Sequence, residues 1–332
     1  MTRSAGVLAT CALFLVGCGS PPEGKLEWKN GQWVRGAAPV EGTPAGELAL
    51  VRLHVAEGRN RSAVRAAKRF LDKYPADPLG EHVMERAVQA YLERGRYWRA
   101  YEWCEKLLDA HPASEYFGQI LRTEYRIADA FLQGRWRAVW GFLYLPAHDE
   151  GMDIFAGIAE HAPNSLLAED ALLQIADAHL EDTNYAEAYE AYDEYLELFP
   201  RSSRARYAMY QAAQAVYVTF RGIPYDVTPL VEADMRFRTF SRLYRHEAQA
   251  TGVPKLLDHI AALRAEKDYA IAQFYERVAR PSAARFYYNE VILRYGWTDW
   301  ADKAKTELKR LGAPVGPEID GGEQRKENQA DG

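Results

Sequence analysis

The sequence predicts an all-α fold, a right-handed α-solenoid of about five to six repeated helix pairs, preceded by a short N-terminal β-hairpin. Three observations predict it. One amphipathic helical pattern recurs in a constant register, most of its copies end at a proline, and an Asn-Gly pair lies between two tryptophans near the N-terminus. Because stacked repeats create extended surfaces, such a fold indicates binding more than catalysis.

Residues 1–17 have the features of a lipoprotein signal peptide. Arg3 precedes an apolar run from Val7 to Val16, which is shorter than the ~20 residues that a membrane-spanning helix needs. The segment LVGC resembles a bacterial lipobox, which implies cleavage before Cys18 and acylation of that residue. Several acyl chains on one residue anchor a protein stably. Gly19 instead of Asp after the cysteine favours the outer membrane. The alternatives are an ordinary secretory signal and an uncleaved anchor.

Residues 18–46 are predicted to form a tether that contains the hairpin. In the segment LEWKNGQWV, Asn-Gly suits a two-residue type I′ turn. That turn pairs Lys29 with Gln32 and places Trp28 opposite Trp33, a favourable cross-strand contact. An isolated hairpin is marginally stable in water, so we expect it to pack on the first repeats. A partner-docking role is the alternative.

Residues 47–311 contain six copies of the helical register. Each copy is anchored on the residue near which its second helix ends: Tyr74, His111, Ala162, Phe199, Tyr244 and Tyr295. Eleven residues before the anchor lies a small residue: Ala63, Ala100, Gly151, Ala188, Ala233 and Ala284. Seven residues before it lie Ala67, Cys104, Phe155, Tyr192, Phe237 and Tyr288, and four before it Phe70, Leu107, Ile158, Tyr195, Phe240 and Val291. Small residues let a neighbouring helix approach, and the apolar positions fill the space beside it.

A first helix precedes each of these second helices, separated by a short turn such as ERGRY or EDTNY. This arrangement resembles the tetratricopeptide repeat, whose period is about 34 residues. The resemblance implies a groove that binds protein segments. His54, Tyr91 and His179 share one position of the first helix, nine residues before the small residue, and are candidate groove residues.

The copies are irregularly spaced, and the extra residues can be located. Around residues 135–151 and 220–230, Pro146, Pro224 and Pro229 predict loops. In the sixth copy the excess predicts a long first helix from about Lys255 to Val278. The polar, Gly-rich residues 312–332 are predicted to be a disordered tail.

Composition argues against several functional classes. The net charge is −6 without a concentrated Lys/Arg run, so nucleic acid is not an expected partner. No phosphate-binding Gly-rich loop, paired-cysteine zinc spacing or nucleophile elbow occurs, so no enzyme activity, cofactor or metal is predicted. His148, Asp149, Glu150 and Asp153 could hold a cation, but acidic residues there fit better as the start of a helix near Met152. Cys104 falls at a core position and is predicted to be buried.

The last two repeats resemble those of the BamD family, lipoprotein subunits of the outer-membrane β-barrel assembly machinery. The matching residues are Asp226, Thr228, Ala233, Phe237, Phe240, Tyr244, Asp268, Ala272, Phe274, Tyr275, Ala283, Ala284, Tyr288 and Tyr295. This chain departs from the family pattern at Gly296, where a proline is usual, and at Ala279-Arg280-Pro281, which replaces a Gly-containing turn.

The resemblance implies a non-enzymatic scaffold, lipid-anchored through Cys18 on the periplasmic face of the outer membrane. Its C-terminal units would contact the barrel-forming subunit through Asp268, Phe274, Tyr275 and Tyr288, and its N-terminal groove would receive unfolded outer-membrane proteins. Two alternatives stay open. One is an adaptor for peptidoglycan or secretion complexes, and the other is a lipid-anchored enzyme that uses the 135–151 insertion.

Overall fold

The computed structural model describes residues 26–29, 32–35, 40, 42–139 and 143–312. The predicted signal peptide, the lipidation site Cys18 and residues 313–332 of the predicted tail lie outside the described residues. The chain divides into two compact units, one of residues 1–123 and 137–145 and the other of residues 124–136 and 146–332.

The N-terminal hairpin has the predicted register. Strands β1 (Leu26–Lys29) and β2 (Gln32–Arg35) pair antiparallel, with Lys29 opposite Gln32 and Trp28 opposite Trp33. The turn residues 30 and 31 lie outside the described residues, and packing of the hairpin on the first repeats stays a prediction.

The described residues form six helix pairs in chain order, which confirms the all-α repeat architecture. The pairs are α1 (Pro44–Ala56) with α2 (Asn60–Lys73), α3 (Gly80–Glu93) with α4 (Tyr97–Ala110), α5 (Phe117–Leu132) with α6 (His148–His161), α7 (Leu166–Glu181) with α8 (Tyr185–Leu198), α9 (Ala205–Val218) with α10 (Thr228–Leu243), and α12 (Val253–Arg277) with α13 (Pro281–Tyr295). A short helix α11 (Arg245–Ala250) precedes the sixth pair, and α14 (Asp299–Arg310) follows it. Helix α12 has close to the predicted bounds.

The predicted register forms the core. Every residue at the three register positions of the second helices is buried. The third copy leaves no room for a larger residue, because a Cβ atom added at Gly151 would lie 3.0 Å from the Ala128 carbonyl oxygen and 3.2 Å from the Phe131 Cβ atom. The small residue at this position therefore sets how closely two helices approach, as the sequence predicts.

The second helices end in a shared backbone conformation. At Tyr74, His111, Ala162, Phe199 and Tyr244, φ lies between −142° and −124° and ψ between 54° and 66°. Proline follows the first four of these residues and disfavours helical geometry before it. Tyr244 adopts the conformation without a following proline. In the sixth copy Tyr295 is instead the last residue of α13, and the C-cap residue Gly296 has φ −55° and ψ −16°.

The turns inside five of the pairs are Schellman motifs. A residue with positive φ donates its N–H to the carbonyl three residues earlier, and the next N–H reaches the carbonyl five residues earlier. Glycine supplies this residue in three pairs, whereas Thr183 (φ 62°) and Ala279 (φ 55°) supply it in the other two. In the sixth pair, the Ala279 N–H bonds to Glu276 at 3.0 Å and the Arg280 N–H to Tyr275 at 2.9 Å. The turn geometry is kept where glycine is missing, at the cost of backbone strain.

Replacement of Ala279 by glycine is expected to stabilise the protein by about 0.5–1 kcal/mol. Glycine removes the steric clash of the Cβ atom in the left-handed conformation, and the larger conformational entropy of glycine in the unfolded chain offsets part of this stabilisation. Urea unfolding of the full chain measures it. The matched control Ala283→Gly, inside helix α13, is expected to destabilise by up to about 1 kcal/mol. If both substitutions destabilise the protein, the left-handed conformation of Ala279 is wrong.

The insertion at residues 135–151 differs from the predicted loop. Residues Trp136–Val139 (β3) and Leu143–Pro146 (β4) form a second two-stranded sheet. Apolar and aromatic residues on both strands favour extended backbone. Pro146 is the last residue of β4, and each strand of a two-stranded sheet is an edge strand, where the missing N–H of proline is tolerated.

Two helix starts also differ from the prediction. Pro229 does not lie in a loop but in the first turn of α10, where a helix needs no backbone N–H, and the Thr228 N–H and hydroxyl donate to Asp226. Pro224 lies in the preceding loop, as predicted. Helix α6 begins at His148, four residues before the predicted Met152, with Asp149 and Glu150 in its first turn.

Candidate protein-binding surface

Tyr288, predicted to contact a partner, is a core residue. Its side chain is 1% exposed, its hydroxyl donates to Glu276 Oε1 at 2.7 Å, and its ring meets Tyr269 edge to face at 5.2 Å. Burial raises the pKa of Tyr288, so the hydroxyl stays protonated and keeps donating. These contacts give Tyr288 a role in holding α13 against α12, and its contact with a partner stays a prediction.

Glu276 joins three helices in this part of the chain. It accepts hydrogen bonds from Tyr288 of α13 and from Arg310 of α14. Burial by itself would raise the pKa of Glu276, but the hydrogen bonds from Tyr288 and Arg310 outweigh it and lower that pKa. Hydrogen bonds to this one carboxylate therefore connect helices α12, α13 and α14.

Asp268 is half-buried on helix α12. Burial raises the pKa of its carboxyl, Arg294 and Arg264 act in the opposite direction, and Glu290 raises it further. Asp268 lies seven residues before Tyr275, which is two helical turns, so both residues are on one face of α12. Asp268 therefore lies on the same helix face as Tyr275 of the aromatic row described next.

Five residues near the turn between α12 and α13 form the aromatic patch: Phe274, Val278 and Phe286, which are exposed, and Tyr275 and Tyr287, which are partly buried against the core. Tyr275 and Tyr287 stack with their ring centroids 5.4 Å apart and planes 12° apart. Phe274 contacts Tyr275 at 5.6 Å and Phe286 contacts Tyr287 at 5.4 Å, so the four rings form one continuous row. Phe274 is 50% exposed and Phe286 is 59% exposed. Large exposed aromatic side chains that are already held in place are the features of a protein-binding surface.

The sequence predicts Phe274 and Tyr275 as candidate contact residues, but it does not indicate Phe286, Tyr287 or Val278. The signal was present in α13, whose buried residues are Ala284, Tyr288, Val291 and Tyr295. Phe286 lies two residues from both Ala284 and Tyr288, which is roughly the opposite side of a helix. An aromatic residue at that off-register position is not needed for the core.

The three predicted groove residues occupy one structural position, the last turn of a first helix. The carbonyl groups of His54, Tyr91 and His179 accept the Schellman N–H of the residue five positions later, at 2.8, 3.0 and 2.9 Å. Tyr91 is buried, with its ring 6.2 Å from that of Trp103. Tyr91 therefore has a role in forming the turn and the core. Binding of protein segments by His54, Tyr91 and His179 stays a prediction.

His54 and His179 share a further feature. The Nδ1 atom of each is buried and has no hydrogen-bond partner in the part of the chain that the structure describes. Burial lowers the pKa of His54, and Arg59 lowers it further. The neutral form of His54 is therefore favoured. Arg59 places a positive charge at the turn between α1 and α2.

Glu169 holds the fourth helix pair to the fifth. Its carboxylate accepts hydrogen bonds from Ser202 at 2.6 Å, Tyr195 at 3.1 Å and Arg204 at 3.2 Å. The Ser202 bond lowers the pKa of Glu169 most; burial opposes it, and Tyr195 and Arg204 lower it further. The charged carboxylate is therefore favoured in the folded state.

The stability that Glu169 provides is expected to depend on pH. A lowered pKa stabilises the fold above the ordinary glutamate value of 4.5, and the contribution is lost as pH falls through the lower pKa of the folded state. The variant Glu169→Gln is expected to lose about 1 kcal/mol at pH 7 and to show a shallower fall in stability on acidification. Urea unfolding between about pH 7 and pH 3 tests this, with exposed Glu187→Gln as the control. An unchanged pH profile would contradict the stabilising role of the Glu169 carboxylate.

The residues considered as cation ligands lie at the start of α6. His148 Nδ1 is 3.4 Å from Asp182 Oδ2 and 3.9 Å from Asp149 Oδ1. Asp149 and Glu150 occupy the first turn, where the helix dipole favours negative charge. Cys104 is buried as predicted, which withholds its thiol from solvent. No helix in the described segments combines the length and apolarity of a membrane span.

Comparison with known proteins gives a family match. Residues 149–310 match the family model YfiO, described as outer membrane lipoprotein. The matched range runs from the first turn of α6 to the end of α14 and covers slightly less than half of the chain. It includes the aromatic patch and the residues that resemble the BamD family. None of the curated proteins matches the chain.

Several solved structures are similar to this chain at low identity. A tetratricopeptide repeat protein from Parabacteroides merdae is 14% identical, with 81% of this chain and 98% of that chain covered and a TM-score of 0.32. MamA from Desulfovibrio magneticus is 15% identical over 60% of this chain and 96% of its own, with a TM-score of 0.30. PilW, a type IV pilus biogenesis factor, is 14% identical over 80% and 100%, with a TM-score of 0.26. With scores this low, the fold assignment depends on the helix pairs and their buried register.

Proposed function

We propose that this chain is a lipid-anchored scaffold on the periplasmic face of the outer membrane, where it binds the barrel-forming subunit of the β-barrel assembly machinery and segments of unfolded outer-membrane proteins. The observation that carries the proposal is the aromatic patch, because it lies inside the range that matches outer membrane lipoproteins.

The surroundings of the patch support a binding role. Stacking of Tyr275 on Tyr287 orients both rings before a partner arrives, so little side-chain entropy is lost on binding. The hydrogen bonds of Glu276 hold the helices beneath the rings. A partner that fits this surface presents apolar side chains to the rings.

Anchoring through Cys18 fits the same role. An acylated cysteine would keep the repeats at the membrane, and the segment of residues 18–43 before α1 would serve as the tether. Membrane attachment raises the local concentration of the scaffold near a barrel subunit in the same bilayer.

The experiment that tests the proposal is affinity purification of the tagged full chain from gently solubilised native membranes, followed by mass spectrometry. The control is Cys18→Ala, which removes the acylation site without altering the helices. We expect enrichment of a large outer-membrane barrel protein with periplasmic repeat domains, and a loss of membrane attachment in the control.

Reproducible enrichment of other envelope proteins without that barrel protein would refute the assembly role and indicate an adaptor for peptidoglycan or secretion complexes. Membrane attachment that survives Cys18→Ala would refute the lipid anchor. The two parts of the proposal therefore fail independently.

A further inference from the structure

A concave, strongly basic surface lies at the turns of the first two helix pairs. We call it the arginine cleft, and its charged lining consists of Arg59, Arg61, Arg65, Arg94 and Arg96. Its volume is about 600 Å³. It lies outside the range that matches the outer membrane lipoproteins and far along the chain from the aromatic patch.

The repeat geometry brings these arginines together. Arg59 and Arg96 are the N-cap residues of α2 and α4, and they occupy the same position of the Schellman turn in successive pairs. Arg61 and Arg65 follow on the first two turns of α2, four residues apart and therefore on one face. Arg94 ends α3, with its guanidinium 5.8 Å from the centre of the Tyr91 ring. Two stacked turns thus direct five guanidinium groups to one place in a chain whose net charge is negative.

The positive charge of the cleft is largely uncompensated. Arg59 is paired with Glu57. Among the residues that the structure describes, Arg61, Arg65, Arg94 and Arg96 have no carboxylate in ion-pair contact, although Arg94 and Arg96 are half-buried. Nearby Glu93 accepts a hydrogen bond from Asn60 at 2.9 Å. Partly buried guanidinium groups without counter-ions are unfavourable unless an anion joins them.

The start of helix α2 also agrees with an anionic ligand. Helix α2 begins in the cleft without a side-chain cap, and the free N–H groups of a helix start also attract anions.

We propose that the arginine cleft binds a phosphate-bearing anion with at least two negative charges, either free or as the headgroup of a lipid. A single carboxylate would neutralise only part of the cleft, whereas a phosphomonoester or pyrophosphate carries more charge in a similar volume. Guanidinium groups suit phosphate because they donate two parallel hydrogen bonds to its oxygens.

The test uses the full chain with Cys18→Ser, so that no acyl chain contributes to binding. The first arm is calorimetric titration with inorganic pyrophosphate, and the second is co-sedimentation with phosphatidylcholine vesicles with and without phosphatidic acid. Binding of pyrophosphate is expected in the first arm. Sedimentation that requires phosphatidic acid would assign the ligand to a lipid headgroup, and its absence would assign it to a free phosphate compound.

The charge variants identify the site. Arg94→Gln with Arg96→Gln is expected to weaken pyrophosphate binding at least about tenfold, because charge-assisted hydrogen bonds to the phosphate oxygens are lost. Arg61→Gln, on an exposed position outside the turn, is expected to weaken binding without affecting folding. The control Arg122→Gln with Arg126→Gln removes the same charge from exposed positions of α5 and is expected to leave affinity unchanged.

Three results would overturn the proposal. The first is that the protein does not bind pyrophosphate, and the second is that the cleft variants and the control variant weaken pyrophosphate binding equally. The third is that poly-glutamate binds more tightly than pyrophosphate at the same salt concentration. The last result would assign the cleft to an acidic protein segment. None of these results bears on the aromatic patch, so the proposed scaffold function is tested separately.

Discussion

Replacement of Phe237 by alanine is expected to lower the free energy of unfolding by about 3–5 kcal/mol. Phe237 occupies the register position seven residues before the helix end and is fully buried in α10. Its ring lies edge to face against Tyr210 at 6.2 Å, and it belongs to the core that joins α9, α10 and α12. Because those backbones are held by many other contacts, the space left by the ring cannot close completely. Urea unfolding of the full chain measures the effect.

Met235 provides the matched control, because it lies two residues earlier on the same helix and is 55% exposed. Met235→Ala is expected to change stability by less than about 0.5 kcal/mol. Similar losses for the two substitutions would mean that the buried register is wrong in this helix. A loss for Phe237 alone supports the register that runs through all six copies.

Replacement of Ala284 by leucine is expected to cost about 3 kcal/mol. Ala284 is fully buried at the small-residue position of α13 and belongs to the same core cluster as Ala265, Tyr269 and Ala272 of α12. A longer side chain there forces α12 and α13 apart, and the hydrogen bond from Tyr288 to Glu276 must then lengthen as well. Thermal unfolding is expected to show a lower transition temperature.

Ser282→Leu is the control for Ala284→Leu, because it adds a leucine to the same helix at an exposed position. Ser282 is exposed in the first turn of the same helix, so added volume meets solvent instead of a neighbouring helix. We expect little change in stability. A stable Ala284→Leu variant would contradict the role of the small residue in helix approach.

The core could be predicted from sequence because the same constraint recurs. Each copy has one small residue and two apolar residues at constant distances from the helix end, whereas the residues between them vary. The register residues of all six copies are buried. The first hairpin was similarly predictable, since an Asn-Gly turn determines which residues pair. Such local rules depend only on residues close together in the chain.

The surface was less predictable, because binding residues need not follow the register. Resemblance alone predicts a contact role for Tyr288, although its register position is a core position. Phe286 was missed because nothing in a single sequence distinguishes an exposed aromatic residue from a packed one until the neighbouring helices are placed. The sequence predicts a loop where β3 and β4 pair, because proline is disfavoured inside a strand. Pro146 lies at the end of β4, and there it does not prevent the two strands from pairing.

The arginine cleft shows the same limit. The sequence has no concentrated basic run, and Arg59 and Arg96 are 37 residues apart. Only the stacking of successive turns brings them to one cleft. Arg59 and Arg96 occupy equivalent positions of two successive copies. Comparing equivalent positions of the copies, instead of neighbouring residues, would therefore have indicated this pair of charges.

The measurement that tests the scaffold function most directly is partner retention by a patch variant. The full chain with Phe274→Ala and Phe286→Ala is compared with a control that carries Leu166→Ala and Leu198→Ala, two exposed apolar residues of α7 and α8. Both tagged variants are purified from native membranes, and the recovered barrel protein is quantified. We expect the patch variant to retain less than about one tenth of the partner, since exposed aromatic hot-spot residues contribute about 2 kcal/mol each, while the control retains it. Full retention by a folded patch variant would contradict a partner-binding role for the aromatic patch.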